Sequence, residues 1–378
     1  MAEKVKEKGI RIYHLNIGQP DLEIPEIVFK SIRNYQSKTI PYAPSEGFRH
    51  IINAWRKYYK DIGLNFEREE IIITTGGSEA IIFAMAAICD PGDEILVFEP
   101  FYTNYNGFAS ITSCRLVPIT LSIENGFHLP DNKVIEKKIT KRTKGIIICN
   151  PNNPTGAVYT KKELSKVAQL AKKYKLFIIN DEVYREFVYD NNKFYSLFNF
   201  KEIKNQIILI DSVSKRFNLC GARIGCLACH NRKIMANIMK FAQARLSSPT
   251  LEQLILVPLL ENSKNYLKKL IFEYKKRRNV IIKMLKKIPG LTYRIPEGAF
   301  YVIVGLPIKN AEHFCEWLLD KFCYKNRTLM LAPAAGFYKT RGLGKNEVRI
   351  GFVINQKDLE EALKIFKIAL EKYKNKYG

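Results

Sequence analysis

Lys144 to Tyr184 reads KGIIICNPNNPTGAVYTKKELSKVAQLAKKYKLFIINDEVY, and this stretch decides the fold. Lys144–Cys149 and Leu176–Asn180 are short runs dominated by Ile, Leu and Phe, without polar alternation. A strand with one face in water alternates apolar and polar residues, so both runs read as strands covered on both sides. Lys161–Tyr174 between them reads as an amphipathic helix. Buried strand, helix and buried strand make a crossover unit, the building block of a parallel sheet.

The same alternation continues outward. Glu70–Thr74 reads as a strand, Ser78–Cys89 as a helix, and Asp93–Phe98 as a strand after the turn Asp90-Pro-Gly92. Gln206–Asp211 and Ile224–Cys229 add two more strands. The fold class is α/β, with a mostly parallel sheet between helices. The tail differs: Tyr266–Lys287 reads as a long basic helix, Leu291–Tyr293, Ala299–Val304 and Glu347–Val353 as strands, and Gln356–Tyr373 as a final helix. The mixture predicts a smaller α+β domain, onto which the first ~40 residues pack. The expected division is a large domain over residues 41–270 and a small one over 1–40 and 271–378.

Composition sets the class. The chain has 378 residues, 47% of them apolar and 26% charged, which suits a globular protein with a large core and excludes a disordered chain or a fibre. The longest apolar run, Ala80–Cys89, falls well short of the ~20 residues that span a bilayer, so no membrane is expected. No apolar stretch follows the basic residues at the N-terminus, and a cytoplasmic location is expected. The net charge is +24. Its lysines are spread along the whole chain rather than gathered in an arm, so we read a solvated surface and expect no nucleic-acid partner. The eight cysteines mostly sit in apolar surroundings and read as reduced thiols. Cys226-Leu-Ala-Cys229-His230 matches a haem-attachment spacing, but it lies on a predicted core strand, and we expect neither haem nor any metal.

Several segments carry chemistry. Ser212-Val-Ser-Lys215-Arg-Phe-Asn-Leu-Cys-Gly221-Ala-Arg223-Ile-Gly225 follows the strand ending at Asp211. On its own it fits a surface lysine and a salt-bridged arginine. Thr74-Thr-Gly-Gly77-Ser78-Glu79 joins a strand to a helix and fits either a plain capping turn or an anion cradle at a helix N-terminus. Asn150-Pro-Asn-Asn153-Pro-Thr-Gly156 fits a turn. Asp181, in Ile179-Asn-Asp181-Glu-Val-Tyr184, stands at the carboxyl end of a buried strand, the edge where such sheets bind ligands; it could equally cap the next helix.

Taken together and in this order, these motifs resemble the class I pyridoxal-phosphate aminotransferases, the fold-type-I enzymes that include aspartate aminotransferase. The resemblance runs from Leu15 to the last helix. It implies a seven-stranded sheet and pyridoxal 5′-phosphate as cofactor. Lys215 would form a Schiff base with its aldehyde and later shuttle protons. Arg223, Ser212, Ser214, Gly77, Ser78 and the amide of Glu79 would hold the phosphate. Asp181 would keep the pyridine nitrogen protonated, Asn153 and Tyr184 would donate to the phenolic oxygen, and Tyr102 would stack on the ring. Tyr42, in Tyr42-Ala-Pro-Ser-Glu-Gly47, would reach the phosphate of a partner subunit, so a homodimer is implied. Gly18, Asn153 and Arg349 would bind substrate, Arg349 as a fork on the α-carboxylate.

The resemblance implies transfer of an amino group between an L-amino acid and a 2-oxo acid in amino-acid biosynthesis, with aspartate and 2-oxoglutarate as the first choice. Aromatic or alanine substrates, a lyase on the same fold, and a cofactor-free regulatory or anion-binding module are the alternatives. Two departures bear on the substrate pocket: Arg216 follows the lysine where many relatives have a small or hydroxyl residue, and Ala332–Gly344 replaces a commoner Pro-Gly-Ser pattern.

Overall fold

The computed structural model describes residues 1–261 and 263–377. Its strands are β1 (Arg11–His14), β2 (Ile71–Thr74), β3 (Glu94–Glu99), β4 (Arg115–Thr120), β5 (Thr143–Cys149), β6 (Phe177–Asp181), β7 (Ile207–Ser212), β8 (Gly225–Ala228), β9 (Thr292–Tyr293), β10 (Tyr301–Gly305), β11 (Arg327–Met330), β12 (Ala332–Pro333) and β13 (Glu347–Gly351).

The decisive stretch folds as its pattern dictates. β5 and β6 pair in parallel, Cys149 beside Asp181, and the helix Lys161–Tyr174 joins them. That helix begins at a reciprocal cap: the Thr160 hydroxyl accepts from the Glu163 amide while the Glu163 carboxylate accepts from the Thr160 amide, satisfying two N–H groups the first turn would orphan. It ends at Lys175 in the left-handed conformation. Leu164, Val167, Ala168 and Ala171 are buried on its inner face.

Seven strands form one sheet in the order β2-β8-β7-β6-β5-β3-β4. All pairings are parallel except those of β8 with β7 and β2. So β8 alone is reversed, and its first residue lies level with its neighbours' last ones: Gly225 is opposite both Ser212 and Thr74. A second, antiparallel sheet runs β12-β13-β10-β9, and β1 pairs in parallel with β11. The N-terminal strand thus joins the C-terminal part of the chain. The following helix Glu26–Arg33 instead packs on the helix Thr250–Glu261.

Differences from the sequence reading have local causes. β4 alternates buried Leu116 and Ile119 with half-buried Val117 and Pro118 at the sheet edge, a weaker signal than the buried runs. The helix expected to begin at Ser78 begins at Gly76, because glycine enters the first turn with φ of +73°. Arg216 does not line the substrate pocket. It is fully buried: its Nη2 donates to both oxygens of Asp211 at 2.8 and 2.9 Å, and its guanidinium lies 4.3 Å from the Tyr58 ring centre. All eight cysteines are free, five are buried and Cys323 is exposed. No described helix is long and apolar enough to cross a membrane.

Candidate active site

The carboxyl ends of β2, β3, β5, β6 and β7, with the start of β8, converge on one edge, and a cavity of about 660 Å³ opens there. The second sheet and the segment Asn16–Gln19 close it from the other side.

Lys215 rides on a single helical turn, Val213–Arg216, after β7. Ser212 caps the turn: its Oγ accepts from the Ser214 amide at 3.1 Å and donates to the Ile224 carbonyl at 3.1 Å. The Lys215 amine projects into the cavity, where Nζ donates to the Gly18 carbonyl at 2.7 Å. Asp181 ends β6 and is 4% exposed. It accepts from the Tyr105 hydroxyl at 2.7 Å and from the Val183 amide at 3.3 Å, so part of its role is to shape the turn after β6. Burial pushes its carboxyl up to about 6, with the nearby Asp211 and Glu182 carboxylates adding to the rise. Among the described residues no cation pairs with it.

Arg349 lies on β13, 8% exposed. Its Nη1 donates to Asn153 Oδ1 at 3.0 Å and its Nη2 to the Asn16 carbonyl. The rings of Tyr301 and Phe337 lie 4.4 and 4.8 Å from its guanidinium carbon. Its Nε is buried without a partner. Tyr184 is buried and shares a 2.9 Å hydrogen bond with the Tyr301 hydroxyl; burial holds its phenol well above the usual range. Burial also pushes the Tyr102 phenol up to about 12.

Arg223 lies at the solvent edge, with Nη1 on the Cys220 carbonyl at 3.0 Å. A Cβ on Gly76 would sit 2.5 Å from Arg223 Nη2, so only glycine admits this approach of guanidinium to helix. The N–H groups of the first helical turn face the same corner, with Gly77 and Ser78 in the cavity wall. The N-cap of this helix, Thr75, makes no side-chain capping bond, and Ser78 in the first turn lines the cavity.

The cavity thus gathers Gly18, Gly77, Ser78, Tyr102, Asn153, Asp181, Tyr184, Ser212, Ser214, Lys215, Arg223 and Arg349. Two expected residues stand apart. Glu79 lies one residue beyond the lining, its carboxylate accepting from the Thr75 amide at 2.8 Å. Tyr42 is 78% exposed, outside this chain's own cavity and beside Pro41 and Thr250. Tyr105, Tyr301 and Phe337 were missed. Tyr105 sits on the first turn of the helix Asn104–Ile111 and carried no signal of its own; Tyr301 and Phe337 come from the second sheet and the turn beside it, whose packing against the first sheet the sequence does not announce.

The Cys226–His230 segment is structural. Cys226 and Cys229 are fully buried, Cys226 Sγ is 3.0 Å from the Tyr59 hydroxyl, and His230 pairs with Glu70 at 3.0 Å. No group of three or more potential ligands for a metal occurs among the described residues.

The chain belongs to the aminotransferase class I and II family, whose profile matches residues 10–366. It is 30% identical over 366 residues to an aspartate aminotransferase of Pyrococcus horikoshii, covering 95% of this chain and 91% of that one. It is also 30% identical over 377 residues to a probable aspartate/prephenate aminotransferase of Aquifex aeolicus, covering 98% and 94%. Among solved structures, an aspartate aminotransferase of Thermotoga maritima superposes with a TM-score of 0.89 at 28% identity, covering 98% and 95%. An alanine aminotransferase of Pyrococcus furiosus gives 0.88 at 30%, with the same coverage. The chain is therefore a pyridoxal-phosphate-dependent aminotransferase of the aspartate aminotransferase fold, acting on an amino acid and a 2-oxo acid.

The residues present fit that cofactor. An unpaired buried carboxylate suits a protonated ring nitrogen. An arginine beside a helix N-terminus suits a phosphate. An amine lies within the same cavity.

Proposed function

We propose that this aminotransferase moves an amino group between aspartate and 2-oxoglutarate, as a cytoplasmic homodimer serving amino-acid biosynthesis. One observation carries the reading: Lys215, Asp181, Asn153 and Arg349 surround one cavity, with the arginine tied to the asparagine at 3.0 Å. The relatives' names support aspartate as donor, and the charge of +24 favours anionic substrates weakly.

In this reading residues 41–270 form the cofactor domain, because β2 to β8 all fall within it, while 1–40 and 271–378 form the smaller one. Gly77, Ser78, the Glu79 amide, Ser212, Ser214 and Arg223 hold the phosphate, with Tyr42 of a partner subunit. Tyr102 packs on the ring, Asn153 and Tyr184 donate to its phenolic oxygen, and Asp181 binds its nitrogen.

When bound, pyridoxal phosphate supplies an electron sink for the negative charge left at the substrate Cα. The chain's residues do the rest. Arg349 grips the α-carboxylate in a two-point fork and, with the Gly18 backbone, fixes which Cα bond faces Lys215. The Lys215 amine would serve as the acid–base group that takes the proton from the substrate Cα and carries it within the cavity. Asp181, raised toward 6 by burial, is drawn back to its charged form by a cation at its oxygen.

A second reading has its own support. Ile17, Ala332, Pro333 and Phe337 line the cavity, and the lining cations, Lys215, Arg223 and Arg349, already have tasks. That wall favours an apolar or aromatic donor side chain. Single half-reactions with aspartate, alanine and phenylalanine separate the two by the oxo acid each releases; ammonia instead of transfer would indicate a lyase. Lys215→Ala should abolish the borohydride-reducible absorbance of the bound cofactor and lower turnover at least ~10³-fold. Wild-type turnover in that variant would overturn the reading.

A further inference from the structure

Glu99 is fully buried at the end of β3, yet it does not line the cavity. Its Oε1 accepts from the Thr120 hydroxyl at 2.7 Å. Its Oε2 accepts from two backbone amides of a distant segment, Lys339 at 2.7 Å and Thr340 at 3.0 Å. Two residues on, the Phe101 amide donates to the Phe337 carbonyl at 2.9 Å. The end of β3 therefore takes hold of residues 337–340 by three backbone contacts, two of them on one carboxylate. Bonds from N–H groups to an ionised acceptor are about twice as strong as neutral ones, and a buried carboxylate stripped of them is costly to keep.

That segment belongs to Ala332–Gly344, where the chain departs from the commoner pattern of its family. It carries Phe337, whose ring lines the cavity and lies 4.8 Å from the Arg349 guanidinium carbon. Arg349 has two oxygen acceptors on this chain, at Asn153 and Asn16, and its Nε has none. Its remaining orientation is set by aromatic faces, Phe337 and Tyr301. β3 also leads directly into Tyr102, so one acidic side chain joins the two walls of the cavity.

We propose that Glu99 is a positioning residue for substrate binding: it fixes Phe337 against Arg349 and so sets the affinity for the α-carboxylate. The proposal rests on the reading of Arg349 as the carboxylate fork. Glu99 itself touches neither substrate nor cofactor.

The test uses the cofactor-loaded enzyme. Glu99→Ala should speed amide exchange in residues 337–340 and raise KM for amino donor and oxo acid together by about tenfold, with kcat within about threefold. The cofactor absorbance should not change. Glu99→Gln keeps an oxygen for the two amides and should stay within about threefold of wild type in KM. Phe337→Leu should raise KM while leaving the exchange alone, which keeps the idea testable if Glu99→Ala folds poorly. Faster exchange in Glu99→Ala with an unchanged KM, or a wild-type KM in Phe337→Leu, overturns it. Arg349→Lys separates the two levels. If it raises KM and Glu99→Ala does not, only this inference fails; if neither does, the carboxylate fork fails as well.

Discussion

The Lys215 amine is held by the carbonyl oxygen of Gly18, 2.7 Å away and 197 positions earlier in the chain. The neighbouring Asn16 carbonyl accepts from Arg349 in the same way. Two carbonyls two residues apart thus present acceptors to two cations that line the cavity. Gly18 has room for nothing more: a Cβ there would come within 1.7 Å of the Tyr301 hydroxyl.

Gly18→Ala should therefore displace Tyr301 and break its 2.9 Å bond to Tyr184. Overpacking of this kind costs roughly 1–3 kcal/mol. We expect a lower melting temperature and a raised substrate KM. Tyr301→Phe in the same chain removes the atom that the new methyl meets first, so the double variant should recover part of the lost stability. No recovery would mean the strain lies elsewhere.

Asp181 gives a pH signature in cofactor-free protein. Burial raises its carboxyl from 3.8 to about 6, so between those values the folded state binds more protons than the unfolded one. Stability then falls as pH rises through this window, by as much as ~3 kcal/mol by pH 7.5. Asp181→Asn should melt higher than wild type at pH 7.5, and the gap should close as pH drops from 6 toward 4. A variant less stable than wild type across that whole range would contradict the assignment.

Arg216 and Asp211 form a pair without solvent access on either side chain. Removing one partner of such a pair strands a charge and costs about 3–5 kcal/mol. Arg216→Met should fall in that range by urea denaturation. Arg216→Met with Asp211→Asn should regain most of it. If the double variant is as unstable as the single one, packing of the guanidinium on Tyr58 rather than charge is what matters.

The exposed Tyr42 tests the dimer. Mixing inactive Lys215→Ala with a damaged Tyr42→Asp chain should restore activity if each site borrows the tyrosine of the other subunit, because one of the two sites in a mixed dimer is then intact. Activity no higher than the sum of the separate variants would place Tyr42 outside catalysis.

The wall of the cavity formed by the large sheet was legible in the sequence because its residues sit at strand ends. A buried run such as Lys144–Cys149 has a visible stop, and the residues just past that stop, Asn150 to Asn153, necessarily lie at the edge of the sheet. Asp181, Lys215 and Gly77 could be read in that way. The opposite wall was not legible. Phe337 and Tyr301 reach the cavity only because one sheet packs against the end of another, and no local periodicity encodes that contact. Arg216 shows the converse: placed next to Lys215 in sequence, it points into the core because residues on a short helical turn diverge in direction. Glu99, an ordinary acid before a proline in the sequence, gains its meaning from amides 240 residues further on.

The reversal of β8 has a last consequence. Because this strand runs against its neighbours, Lys215 and Arg223 both lie in the connection of one hairpin, whose strands meet at Ser212 and Gly225. The spacing between these two cavity-lining cations is then metered by a single short excursion of backbone. Adding or deleting a residue within it would leave every ladder rung in place while sliding the two cations out of step, so the length of that excursion is constrained more tightly than its composition.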